Sequence, residues 1–369
     1  MFRSLVLQLK EFRYATRRMF KTLKSPQTST YFPDEPRKST VQMWRDNIRW
    51  LIKHGEANVY YFVYGLDRKA GTDEKELISW NEFRKLRNTR NQKLRTLKYN
   101  YVCLLQDKFI FGQFLKSLGF PTPPNIAIFD KTQITWLHNM KSEPVTALTN
   151  DPARQVNGFC KKLSGILGEG AFTLNVKGNK LFNKSGELSL AELCGNLDGQ
   201  YLLQERIEQH PRMSSLHPPS VNTIRMVTFN NNDQVSVFST VLRIGAHGKN
   251  VDNWASGGII VTIDKHTGIL GKEGMFKIGY GGRVTQHPDT GVVFEGFEIP
   301  FFRESIELAT SLHRYFYGIH SIGWDIAITP MGPVFIEGND DWDGVIPMAL
   351  EKNFRSRFIS MFPDPSLAK

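Results

Sequence analysis

Two carboxylates and an amide near the C-terminal end carry the clearest chemical signal in the chain. They lie in Gly323-Trp324-Asp325-Ile326-Ala327-Ile328-Thr329-Pro330-Met331-Gly332-Pro333-Val334-Phe335-Ile336-Glu337-Gly338-Asn339. Two β-rich runs joined by Pro-Met-Gly-Pro predict an antiparallel hairpin. Strand side chains alternate, so Glu337 and Asn339, two apart, share one face, and the pairing can set Asp325 beside them. Such a group among Ile, Val, Phe and Trp is costly to bury unless a cation sits there. All-oxygen ligands suit magnesium, which takes one or two carboxylates and leaves other positions to water and substrate phosphates. The competing expectation is an acidic hairpin tip whose charges are solvated.

Groups suited to phosphate occur upstream. Phe159-Cys160-Lys161-Lys162-Leu163-Ser164-Gly165-Ile166-Leu167-Gly168-Glu169-Gly170 reads as a strand entering a glycine-rich loop. Gly165, Gly168 and Gly170 would let backbone N–H groups approach phosphate oxygens, with lysine charge just before them, although a plain hairpin fits the same residues. Arg225 and Arg243 each stand among apolar residues on a strand-like run. A buried guanidinium needs an anion, which phosphate or an internal carboxylate can supply. Asp252-Asn253-Trp254-Ala255-Ser256-Gly257-Gly258 is a polar, glycine-bearing loop able to close over a γ-phosphate through Asn253, Ser256 and Gly257, and His287 falls in a second candidate substrate loop.

The Asp325 hairpin resembles the ATP-grasp superfamily, whose members end the nucleotide-binding domain with Asp on one strand and Glu-x-Asn on the next. The resemblance implies ATP and magnesium as cofactors, with Asp325, Glu337 and Asn339 holding the metal between phosphates. It implies a phosphate role for Lys108, ahead of the Leu118-Gly119-Phe120-Pro121-Thr122-Pro123 turn, and for Lys161 or Lys162; the family usually has proline where Lys162 stands. Tyr201-Leu202-Leu203-Gln204-Glu205-Arg206-Ile207-Glu208 resembles the hinge strand, which implies adenine contacts for Gln204, Glu205 and Ile207 and a ribose contact for Glu208. Ser220-Val221-Asn222-Thr223-Ile224-Arg225, the Asp252-Asn253…Gly257-Gly258 loop, His287-Pro288-Asp289-Thr290-Gly291 and Ile299-Pro300 narrow the likeness to the sugar-transfer-associated branch, which is linked with polysaccharide biosynthesis. The likeness covers residues 100–350. One departure is the acidic Asp340-Asp341-Trp342-Asp343 after Asn339, where peptide-bond-forming relatives carry small uncharged residues beside the acceptor.

These residues need a scaffold, and 369 residues are enough for two or three packed domains. Residues 1–100 read as a helical N-terminal region, with helices over 1–24, 40–55 and 74–98. Residues 101–205 read as the first part of an ATP-grasp fold, including the glycine-rich-loop subdomain, and 206–369 as its C-terminal subdomain with the metal site. A helix over 106–118 is followed by short strand runs and hairpin turns at Asn230-Asn231-Asn232-Asp233 and His266-Thr267-Gly268, so the class is α+β, two subdomains clasping ATP.

A net charge of +11 favours anionic partners. The excess gathers in residues 3–24 and again from Arg84 to Lys98, without an RNA-binding aromatic signature or zinc finger, and nucleic acid is not expected as a partner. Residues 1–24 are amphipathic, suited to packing on the protein itself or to lying on an anionic membrane. Three scattered cysteines and the lack of a long apolar span favour a cytoplasmic setting, membrane-peripheral at most. The expected activity is ATP- and magnesium-dependent ligation, in which a carboxylate becomes an acylphosphate and is passed to an amine or hydroxyl of a small-molecule or glycan acceptor, with Arg225, Arg243 and Lys161 stabilising the transferring group. A kinase acting on a sugar hydroxyl and a non-catalytic nucleotide-binding module are the alternatives.

Overall fold

The computed structural model describes residues 2–24, 30–93, 101–163 and 170–362. The N-terminal region holds α1 (Phe2–Leu23), α2 (Thr40–His54) and α3 (Trp80–Lys93). A capping box between Ser39 and Gln42 starts α2, and Gly55 at φ +69° ends it. Ala15, Met19 and Leu23 of α1 join Met43, Trp50 and Leu51 of α2 in one buried cluster. Residues 10–24 therefore pack on their own protein through one narrow strip. The helix expected over 74–98 is divided. Glu74–Glu76 forms a 3₁₀ turn, and α3 begins at Trp80, where the Glu56 carboxylate accepts the N–H groups of Trp80 and Asn81 at 2.6 and 3.0 Å. Arg95 and Lys98 of the second basic stretch lie outside the described residues.

The same cluster takes in Trp342, Val345, Phe354 and Phe358, so the C-terminal segment closes back onto the helices. Buried Arg87 of α3 fastens this junction by donating to the Trp342 carbonyl and to Asp341.

The expected helix over 106–118 is also interrupted. Asp107 ends a single turn, Cys103–Gln106, and its carboxylate accepts Ile110 N–H at 2.8 Å, capping α4 (Lys108–Ser117). Lys108 thus opens a helix instead of lying within one.

The strands form two antiparallel sheets. The first has the order β3-β2-β1-β8-β4-β5-β6-β7, from β1 (Asn125–Phe129), β2 (Gln133–Trp136), β3 (Lys141–Pro144), β4 (Gln155–Lys162), β5 (Phe172–Lys177), β6 (Lys180–Asn183), β7 (Gly186–Leu188) and β8 (Tyr201–Glu205). The second has the order β13-β12-β11-β10-β9-β14-β15, from β9 (Thr223–Asn231), β10 (Gln234–Ile244), β11 (Ile259–Ile263), β12 (Leu270–Phe276), β13 (Arg283–Val284), β14 (Ser321–Thr329) and β15 (Gly332–Asn339). Helix α5 (Phe302–His313) covers the second sheet, packing Ala309 and Leu312 with Ile224, Met226, Leu242 and Trp324. Helices before antiparallel sheets make the fold α+β.

Candidate functional site

The β14–β15 hairpin forms as its turn predicts, and its register sets Asp325 opposite Glu337. On its other side β14 pairs with β9, setting Asp325 opposite Arg225. A bulge after Asp325 shifts the ladder by one residue and keeps Glu337 and Asn339 on the Asp325 side of the hairpin.

Asp325 is buried and ionised against two guanidinium groups. Arg225 Nε donates to Oδ1 at 2.5 Å and Nη2 to Oδ2 at 3.1 Å, while Arg243 Nη2 reaches Oδ2 at 2.8 Å. Burial pushes the Asp325 carboxyl pKa up, but Arg225 and Arg243 outweigh that and hold it well below the usual carboxylate range. Glu337 hydrogen-bonds to Asp325, and burial together with that negative neighbour raises its pKa. Asn339 Nδ2 donates to the Gly323 carbonyl at 3.3 Å and lies 3.5 Å from Glu337 Oε1.

Asp252 extends the cluster, although its spacing from the hairpin hid it in the sequence. Its Oδ2 accepts from the Thr223 backbone N–H at 3.1 Å and from the Thr223 hydroxyl. The same hydroxyl accepts from Arg243 Nε and Nη2 at 3.0 and 2.9 Å. Burial opposes the Arg243 charge, yet Asp252, Asp325 and Glu337 more than reverse that effect and raise its pKa. The expected phosphate arginines are therefore held by carboxylates in this structure, the internal-salt-bridge alternative.

The first sheet contributes the opposing charge. Lys161 of β4 interacts electrostatically with Glu337, Asp325, Asp252 and Lys108, and burial lowers its pKa. Strand alternation sends Lys162 elsewhere: it pairs with Asp198 at 2.5 Å, beside the Tyr201 hydroxyl. Of the two adjacent lysines, Lys161 is the one facing the acids. Gly170 has φ +68°, a conformation glycine permits, whereas Gly165 and Gly168 lie outside the described residues.

Gln204, expected at an adenine edge, is buried on β8 and donates to Asn125 Oδ1 at 2.8 Å, which ties its amide to β1. Glu205 and Glu208 are exposed and Ile207 half-buried where the chain leaves the first sheet. Asn253 caps the Trp254–Ser256 turn through Ala255 N–H, and Gly257 closes that turn at φ +95° against the Tyr280 ring. His287, expected in a substrate loop, is fully buried, with Nε2 2.7 Å from the Gly245 carbonyl and Nδ1 accepting Asp289 N–H at 3.2 Å, so its ring braces a loop.

The acidic residues after Asn339 divide by role. Asp341 pairs with Arg87, and Asp343 accepts Val345 N–H at 2.7 Å and feels Arg225, Arg87 and Lys277. Tyr60 and Tyr64 of the N-terminal region border the same carboxylate. A separate cleft of about 250 Å³ in the N-terminal region, lined by residues including Lys38, Asp46 and Tyr61, contains none of the expected site residues.

The donor set suits a divalent cation and a polyphosphate together. Two hydrogen-bonded carboxylates require a proton or a cation between them. Among the described residues no group of three His, Cys, Asp or Glu side chains could hold a metal alone. Magnesium does not need one when substrate phosphates complete its shell. Glu337 and Asn339 would hold such an ion, beside an Asp325 carboxylate that Arg225 and Arg243 occupy in this structure.

The model of a family described as sugar-transfer associated ATP-grasp matches residues 87–361. No curated protein sequence matches the chain. Among solved structures, the chain resembles an N5-carboxyaminoimidazole ribonucleotide synthetase from Thermotoga maritima (13% identity, 78% of this chain and 56% of that one, TM-score 0.37). It also resembles a D-alanyl-alanine synthetase A from Vibrio cholerae (10% identity, 71% and 61%, TM-score 0.37) and a biotin carboxylase from Campylobacter jejuni solved as a β,γ-ATP complex (11% identity, 71% and 47%, TM-score 0.40). The chain thus spans between 47% and 61% of the length of these three structures.

Proposed function

Because the chain belongs to the sugar-transfer associated ATP-grasp family, we propose that it is an ATP- and magnesium-dependent ligase acting on a glycan or related small-molecule acceptor in polysaccharide biosynthesis or modification. The observation that carries this reading is the electrostatic interaction of Lys161 on β4 with the Asp325–Glu337 pair on β14 and β15, which supports a site where a lysine and metal-type ligands serve the same phosphates. Magnesium, bound at Glu337 and Asn339, would neutralise phosphate charge and polarise the transferring group. Lys108 and Lys161 bind phosphate oxygens, and Arg225 and Arg243 exchange part of their hold on Asp325 for the negative charge of the transferring phosphoryl group. Asp252 and Thr223 keep Arg243 in place while it does so. A carboxylate attacks the γ-phosphate, ADP leaves, and an amine or hydroxyl displaces phosphate from the acylphosphate.

Direct phosphorylation of a sugar hydroxyl would use the same groups. Incubation with ATP, magnesium and a panel of glycans separates the two: free phosphate with a new amide or ester supports the ligase, and phosphate retained on the sugar supports the kinase. Binding of ATP with no turnover on any acceptor would favour a non-catalytic module.

A further inference from the structure

Helix α1 buries Ala15, Met19 and Leu23 and leaves Phe12 and Phe20 about half exposed, at 49% and 55%. Phe20 meets Trp44 of α2 edge-on at 4.9 Å, which joins the two helices into one outer surface. On α2 the inward face is Met43, Asn47, Trp50 and Leu51. Helical spacing puts Val41, Ile48 and Ile52 on the opposite face, 78%, 44% and 75% exposed. A soluble surface would carry polar residues at these three positions.

Cations surround this apolar stripe. Arg45, Arg49 and Lys53 run along one flank of α2, and Lys10, Arg13, Arg17, Lys21 and Lys24 are exposed on α1. Of these, Lys53 alone has an ion-pair partner among the described residues, Glu74 at 3.4 Å. Aliphatic and aromatic side chains set within unpaired basic charge complement an anionic bilayer, where the apolar groups enter the headgroup boundary and the cations meet lipid phosphates. Among the described residues no helix is long and apolar enough to cross a membrane.

We infer that the outer face of α1 and α2 docks this protein on anionic membrane surfaces, with Phe20, Ile48 and Ile52 entering the interface and Arg45, Arg49 and the α1 cations binding lipid phosphates. The inference is independent of the reaction assigned to the nucleotide site. Both helices contribute, so loss of the α2 residues alone weakens binding even with α1 intact.

The test is co-flotation of the full chain with vesicles of phosphatidylcholine containing about 30% phosphatidylglycerol, against vesicles of phosphatidylcholine alone. Wild type should float with the anionic vesicles and be released as salt approaches about 0.5 M. The Ile48→Glu/Ile52→Glu variant, altered only at exposed positions, should bind at least about tenfold more weakly with an unchanged unfolding midpoint. Equal binding by wild type and variant, or no preference for anionic lipid, overturns the proposal. A wild-type dimer that the variant abolishes, with no vesicle binding, assigns the face to a second copy and overturns it too.

Discussion

Arg225 and Asp325 are register partners on adjacent strands, and Asp325 is in turn the partner of Glu337 on the next strand. One rung of the second sheet therefore reads base, acid, acid across β9, β14 and β15. The central acid is bonded on one side by guanidinium and on the other by a carboxyl group of raised pKa. The two carboxylates are consequently unequal, and removing each should have a different effect.

Asp325→Asn should destabilise the fold by about 3–5 kcal/mol, because it strips the shared counter-charge from two largely buried arginines. Glu337→Gln should leave stability within about 1 kcal/mol, since burial and the neighbouring Asp325 already work against the charge that the substitution removes. Urea denaturation of both variants checks this. Equal losses of stability would mean that Asp325 is not the anchor of the arginine pair.

The adjacent lysines should part in the same way. Lys161→Met should weaken ATP binding by about 10- to 100-fold, because it removes the cation facing the acids. Lys162→Met breaks the exposed pair with Asp198 and should cost less than about 1 kcal/mol of stability with little change in affinity. Calorimetric titration with ATP measures both.

Acid should unfold the chain through buried histidines. His313 sits between the Thr228 hydroxyl at 2.7 Å and the Ile319 carbonyl at 2.9 Å, and Trp324 Nε1 donates to the same hydroxyl. With Nε2–H donated to the Ile319 carbonyl, Nδ1 can accept from the Thr228 hydroxyl, the arrangement of a neutral ring. Burial lowers the pKa of His313 to about 4, that of His217 to about 4 and that of His320 to about 3, from 6.5. The unfolded chain thus binds protons first. The stability these groups give is complete above pH 6.5 and is lost as pH falls toward 4. Unfolding midpoints should drop steadily over that window in wild type and less steeply in His313→Gln.

The hairpin was legible because its register is dictated by turn chemistry and alternation, both visible in seventeen consecutive residues, Gly323 to Asn339. Arg225 and Arg243 were also recognisable as buried cations needing an anion. Their actual partner was not, since it lies 100 positions away from Arg225 and depends on strand order. Asp252 was hidden for the same reason. Lys161 and Lys162 could not be told apart without the strand's orientation, and His287 looked like a loop histidine until the fold buried it. Among the strands that the sequence did not disclose, β3 and β7 have only four or three largely polar residues, which show no period. The N-terminal region read as helical, but its junction with Trp342 through Arg87 spans more than 250 positions and leaves no local trace.

The central claim is that one site joins the Glu337 side of the hairpin to Lys161 through magnesium and ATP. Titration of ATP with and without magnesium, in wild type and Glu337→Gln, tests it most directly. Binding in wild type should strengthen at least about tenfold with magnesium, and the variant, with its unfolding midpoint kept, should lose that enhancement. A magnesium enhancement undiminished in Glu337→Gln would contradict the account.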